Sequence, residues 1–227
     1  MRIDTAPTDM EVAMGLVSAI QEFAAVIDET ATARRGCPAD DLISSWVGAD
    51  FDAITLVHET GLFISGGAET TRTVIARGLR VLADHPEQWE DAAADPSLIP
   101  GLVEELLRWV TPLNNFFRTA AVDTQIGGRP VAAGDRICIV YPSANRDERV
   151  FLDPFRFDMR RSPNPQIAFG HGTHFCLGVN LARTELRMLF EALTQRITNL
   201  RVVAEPDIEE NIFAGAVRSF RLAFEPR

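Results

Sequence analysis

Lysine is absent from this 227-residue chain, so all 22 basic residues are arginine. That usage fits a GC-rich coding sequence and carries no mechanism by itself. Positive charge is also in deficit. Against 22 arginines stand 32 acidic residues, a formal net charge of −10. The balance argues against a protein that grips the phosphate backbone of nucleic acid or rests on anionic lipid. Cysteine is scarce as well. Cys37, Cys138 and Cys176 are too few and too scattered for a disulfide framework, so a reducing, cytoplasmic setting is expected. No run of about 18 apolar residues exists to cross a membrane, and the first residues lack the basic start and apolar stretch of a secretion signal. What is present is 46% hydrophobic and 24% charged residues. That suffices for a sizeable core and excludes disordered and collagen-like chains. The length suits one large domain or two small ones.

Apolar spacing divides the chain into elements. Met10, Met14, Val17, Ile20, Ala24 and Ile27 recur at helical period over 8–34, with Thr8 and Glu11 placed as a capping box. A short helix is expected over 40–47 and a long one over 52–83. The long helix holds two adjacent glycines, Gly66 and Gly67, each costing about 1 kcal/mol against alanine. Prolines at 86, 96 and 112 bound two further helices, 86–93 and 98–109. The period then changes: 116–126 and 131–140 suggest short strands around a Gly-Gly-Arg-Pro turn. Residues 145–168 carry Pro154, Pro163 and Pro165 with little periodicity, an irregular loop of a length usually kept for function. A helix over 178–196 and a closing hairpin over 199–225 complete the order.

One segment bears chemistry: Phe169-Gly170-His171-Gly172-Thr173-His174-Phe175-Cys176-Leu177-Gly178. A free cysteine is ordinarily a small buried hydrophobe. Cys176 instead precedes a helix N-terminus, where free N–H groups and the dipole favour a thiolate. Glycines on both sides leave room for something flat, which suits an axial ligand to haem iron. A zinc site from His171, His174 and Cys176 is the metal alternative, but it lacks a further spaced ligand.

The pattern F-G-x-G-x-H-x-C-x-G resembles the haem-binding loop of the cytochromes P450, and three more segments resemble that family in its order. The resemblance implies a mainly α fold with a small β region, the C-terminal part of the P450 fold, as a single partial domain. Lid-type helices would occupy 1–50, an oxygen-activating helix 52–83, and the E-x-x-R helix 98–109. The irregular loop and haem-ligand loop would follow over 145–178, a helix over 179–196, and the C-terminal hairpin over 199–227. Cys176 would ligate the iron of haem b (iron protoporphyrin IX), with Phe169 and Gly178 shaping its cradle and His174 and Arg118 pairing with its propionates. Glu105, Arg108 and Arg156 would form a buried structural triad. Gly66-Gly67-Ala68-Glu69-Thr70-Thr71 resembles the oxygen-activating segment: the glycines open a groove and loosen the helix, Thr70 donates a hydrogen bond there, and Glu69 relays protons. His171 matches no transferable role.

The implied activity is insertion of one oxygen atom from O2 into a lipophilic substrate. Leu113, Asn114, Phe116, Phe213 and Ala214 would line the substrate pocket, and the stretch from the Glu-Thr-Thr helix onward looks most like enzymes of sterol or branched fatty side chains. Electrons would come from a ferredoxin-type donor with an NAD(P)H-dependent reductase, docking at Arg183 and Arg187. The chain is shorter than the family, starting near its lid helices. The alternative is therefore a truncated, non-catalytic remnant that does not hold haem stably.

Overall fold

The computed structural model of the chain describes residues 10–227; the Thr8 end of the expected capping box lies outside them. Two compact units are present, one reaching to Ala68 and one running from Glu69 to Arg227.

The first unit holds α1 (Met10–Gly36), α2 (Leu42–Gly48) and the start of α3 (Ala53–Ala83). Helix α2 begins where the Asp41 carboxylate accepts the Ser44 N–H at 2.7 Å, the N-cap bond that relieves an unpaired donor. Ile27, Ala31 and Leu56 form a small core. Beside it Trp46 stacks on Phe51 and meets Phe63 edge-on. The helical stripe of α1 is only partly buried: Met10, Met14, Val17 and Ile20 stay more than half exposed, and Ile27 alone of the large members is interior. Amphipathic spacing shows which face is fit for burial, not whether anything covers it. Ile54, Leu62 and Ile64 of α3 are exposed for the same reason.

The second unit contains the rest of α3, then α4 (Pro86–Ala94) and α5 (Ile99–Val110). Both α4 and α5 carry proline in the first turn, where its missing N–H costs nothing. Helix α5 is the centre of the unit. Leu102, Val103, Leu106, Leu107 and Val110 are buried, packed with Trp89, Phe157, Met159, Leu186 and Phe190. It stops at Thr111, whose φ of +44° is left-handed.

Strands β1 (Asn115–Thr119), β2 (Thr124–Ile126), β3 (Arg129–Val131) and β4 (Arg136–Val140) follow. The expected pair of strands is in fact two antiparallel ladders: β1 with β4, Asn115 opposite Val140, and the small hairpin β2–β3. After a one-turn helix, α6 (Tyr141–Ala144), residues 145–171 are irregular. Helix α7 (Val179–Arg196) and the antiparallel pair β5 (Ile197–Ile208) and β6 (Val217–Pro226) close the chain. No helix among the described residues is long and apolar enough to cross a membrane. The architecture is mainly α with a small β component.

The irregular loop lies directly on α5. A Cβ at Gly101 would stand 2.5 Å from the Met159 carbonyl oxygen, so only glycine lets the two backbones meet. Gly101→Ala is expected to destabilise the chain by about 1–3 kcal/mol through overpacking, read as a lower urea midpoint at unchanged slope.

Candidate functional site

Helix α5 presents Glu105 and Arg108 one turn apart, both without exposed surface. The guanidinium grips the carboxylate in fork geometry, Nε to Oε2 at 2.8 Å and Nη2 to Oε1 at 2.7 Å. Nη1 of Arg108 donates to the Asn145 and Pro154 carbonyls at 2.8 and 2.9 Å. Glu105 accepts further bonds from the Asp158 N–H, the Asn164 amide and the Arg161 guanidinium. Arg161 is therefore the third member of the charged triad, at 3.2 Å and 9% exposed.

Arg156, expected in that role, is exposed. It contributes only its carbonyl oxygen, which accepts from Arg108 and Arg161. The Pro-rich loop turns so that the residue four positions beyond Phe157, not the one before it, reaches the carboxylate. Asn145 was also missed. It is fully buried, its amide donating to the Thr111 hydroxyl and its Oδ1 accepting the Ile167 N–H. Neither residue belongs to a periodic pattern that would have flagged it.

The loop thus anchored delivers the cysteine segment. Gly170 and Gly172 have φ of +75° and +74°, a region costly for residues with a Cβ. The Cys176 N–H donates to the Phe169 carbonyl at 3.0 Å, closing the loop. Cys176 is partly exposed and unbonded to another cysteine. It lies two residues before Gly178, the N-cap of α7. A Cβ at Gly178 would sit 3.9 Å from the Cys176 sulfur, at ordinary van der Waals distance.

Phe169 is held from behind by a cation–π contact with Arg183, 5.0 Å from ring centroid to guanidinium. Arg183 in turn forms a two-pronged pair with Glu104 at 2.6 and 2.9 Å, and Gln166 bonds the same carboxylate. Burial works against the Glu104 charge. The Arg183 and Gln166 hydrogen bonds and the Arg183 and Arg187 charges outweigh it and hold its carboxyl below the usual range. Arg183, expected to be a docking cation, is therefore tied into the loop's support. Arg187 is the exposed member of the two.

The expected pocket residues come together. Leu113 bridges Ala214, and the Asn114 N–H donates to the Phe213 carbonyl at 2.7 Å. Phe116 meets Phe213 and Tyr141 edge-on at 5.2 and 5.9 Å. The Tyr141 hydroxyl lies 3.6 Å from where a Gly170 Cβ would be, so this cluster adjoins the cysteine loop.

Arg118 is exposed on β1, its guanidinium on the Phe117 carbonyl, and His174 is exposed in the one-turn 3₁₀ helix Gly172–His174. On α3, Glu69 receives Arg72 at 2.7 Å and the Thr73 hydroxyl at 3.2 Å. The helix stays α-helical through Gly66 and Gly67 rather than loosening there, and the space beside both is open. Thr70 shares a face with Arg77, about 10 Å further along the axis. Arg77 in turn lies against Gly215 in the C-terminal turn.

The donor set fits a flat cofactor held by one thiolate. A single, partly exposed sulfur is flanked in sequence by the exposed apolar side chains of Phe175 and Leu177. Among the described residues no three His, Cys, Asp or Glu side chains are grouped to hold a metal ion, so the zinc arrangement of His171, His174 and Cys176 is not formed.

The chain has clear relatives. The family model described as cytochrome P450 matches residues 89–218. The steroid C26-monooxygenase of Mycobacterium tuberculosis (strain CDC 1551) is 38% identical over 226 residues, 96% of this chain and 60% of that protein. Cytochrome P450-terp of a Pseudomonas species is 37% identical over 84% of this chain and 46% of its own length. Among solved structures, P450BioI, in complex with an acyl carrier protein ligated to hexadecenoic acid, has a TM-score of 0.88 at 32% identity. The match covers 96% of this chain and 57% of that one. CYP108D1 of Novosphingobium aromaticivorans has a TM-score of 0.87 at 33% identity, over 96% and 54%. The chain belongs to the cytochrome P450 family. It spans 46–60% of the length of the relatives just named.

Two predictions follow from the supports. Arg161→Ala should cost about 2 kcal/mol or more, because hydrogen bonds to a buried charge are lost, whereas Arg156→Ala should stay within about 0.5 kcal/mol; chemical denaturation separates them. Glu104, with its folded pKa depressed, stabilises the chain fully above its ordinary value of 4.5, and that contribution fades as pH falls through the lower folded value. Arg183→Ala should flatten the acid limb of a stability–pH curve, and an unchanged limb would contradict the coupling.

Proposed function

We propose that this chain carries the thiolate side and oxygen-site helix of a haem-thiolate monooxygenase acting on a lipophilic substrate, a sterol or branched fatty side chain. The observation that carries the reading is the partly exposed Cys176 thiol, held in a glycine-bounded loop by the Phe169 carbonyl ahead of α7. Haem b, when bound, supplies the chemistry by which O2, two electrons and two protons put one oxygen atom into a C–H bond and release the other as water.

The chain's own residues do the rest. Cys176 would offer its sulfur to the iron from just ahead of the N-terminal end of α7. A thiolate donates more electron density than an imidazole, which favours O–O cleavage. His174 and Arg118 bind the propionates, both exposed and free to swing toward an anion. Phe169 holds the loop through its carbonyl, its ring steadied by Arg183.

Thr70 places a hydroxyl at the oxygen site. Glu69, partly open to solvent, moves protons inward. Leu113, Phe116, Phe213 and Ala214 orient an apolar substrate and exclude water, while the Asn114 side-chain NH2 ties the two strips together by donating a hydrogen bond to the Asn211 carbonyl. The steroid C26-monooxygenases among the relatives support the substrate class. Electrons come from a ferredoxin-type donor and its NAD(P)H-dependent reductase, with Arg187 offered at the surface.

The test is spectroscopic. The chain supplied with haem, reduced and exposed to carbon monoxide, should show the red-shifted Soret band of thiolate ligation. Cys176→Ser should bind haem without that band. A soluble, haem-supplemented preparation of the unsubstituted chain lacking it would favour the non-catalytic remnant instead.

A further inference from the structure

The second unit contains an open cleft of about 450 Å³ lined by Arg77, Trp109, Val110, Asn114, Pro142, Ser143, Arg146 and Phe155. Only Asn114 is shared with the substrate cluster described above. Two arginines face one space here, in a chain whose net charge is −10. Among the described residues no carboxylate pairs with either. The Glu105 charge acts on Arg146, but that carboxylate is already held by Arg108 and Arg161.

The two guanidiniums are held differently. Arg146 is fixed: it donates to the Trp109 carbonyl at 2.8 Å and lies over the Trp109 ring at 5.2 Å. The bond places a cation at the C-terminal end of α5, where the helix dipole welcomes it. Arg77 makes no ion pair among the described residues, and its guanidinium is partly buried. Its Nη1 reaches the C-terminal turn, 2.6 Å from where a Gly215 Cβ would stand.

Burial lowers the pKa of both groups, and the positive charges of Arg108 and Arg77 lower Arg146 further. Half-buried like charges facing one cleft repel each other and have lost part of their hydration. An anion between them removes both penalties.

The walls say what kind of anion. Planar guanidiniums match a carboxylate. Asn114 and Ser143 add polar groups beside them, while Val110, Pro142 and Phe155 supply an apolar side. A site with a few convergent polar groups and otherwise apolar walls takes a small organic molecule. We propose that this cleft binds a small organic carboxylate, its charged head between Arg77 and Arg146 and its apolar body along Val110, Pro142 and Phe155. The site stands independently of the haem-thiolate reading, since neither Cys176 nor α7 contributes to it.

Calorimetric titration of the chain with hexanoate tests the assignment, with 1-hexanol and inorganic phosphate as separate arms. Hexanoate should bind, 1-hexanol should give no saturable heat, and phosphate should bind at least tenfold more weakly than hexanoate. Arg77→Gln should weaken hexanoate at least tenfold while leaving the circular-dichroism spectrum unchanged, and Arg77→Lys should recover part of the loss by keeping the charge. Three results overturn the proposal: no hexanoate binding, equal affinity in Arg77→Gln and the unsubstituted chain, or phosphate binding as tightly as hexanoate. Should Arg77→Gln misfold, Arg77→Lys decides alone: an affinity that neither falls nor responds to salt excludes a charged head at that position.

Discussion

Glu105 carries a carboxylate with no exposed surface in the middle of the second unit, and the organisation around it follows from how that charge is compensated. Desolvating a carboxylate is expensive, and a single ion pair seldom offsets the penalty. Here compensation is spread over two guanidiniums, a backbone N–H and an amide. Three of those four partners come from the irregular loop, so folding that loop and burying that charge are one event. Arg108 extends the tie to the Asn145, Pro154 and Arg156 carbonyls. Backbone groups of a segment without secondary structure thereby find partners.

The same helix supports the cysteine from a second direction. Glu104, adjacent to Glu105, faces α7 rather than the loop interior and meets Arg183 there. Arg183 reaches over Phe169, and the Phe169 carbonyl receives the Cys176 N–H. Two neighbouring acidic residues of α5 thus brace the chain leading to Cys176, one through Arg161, the other through Arg183 and Phe169.

Much of the fold was legible in the sequence because its signals are local. Proline at the first turn of α4, the helical period of Leu186, Leu189 and Leu193 in α7, and the glycine-rich turn between β2 and β3 each depend on a few neighbouring residues. The F-G-x-G-x-H-x-C-x-G segment was legible for a related reason: its glycines answer a backbone requirement written into the loop itself, as the left-handed φ at Gly170 and Gly172 shows. The division of the β region into two ladders was not, since pairing β1 with β4 across the β2–β3 hairpin is a choice among non-local partners.

By itself, then, the sequence determined the element order, the positions of the turns and the identity of the thiol ligand candidate, because each rests on propensity or conformational need within a turn or two of chain. Tertiary structure decided which charges meet. Arg156 and Arg161 are equivalent as sequence, two arginines in a proline-rich loop. Only the path of that loop against Gly101 brings Arg161 to a carboxylate 56 residues away. Arg183 looks like a solvated helix residue until α5 places Glu104 beside it, and Arg77 looks like any arginine of a long helix until Gly215 closes over it. A charge is addressed by what folding places within hydrogen-bond reach, and that distance is set by the packed core and not by the spacing of residues along the chain.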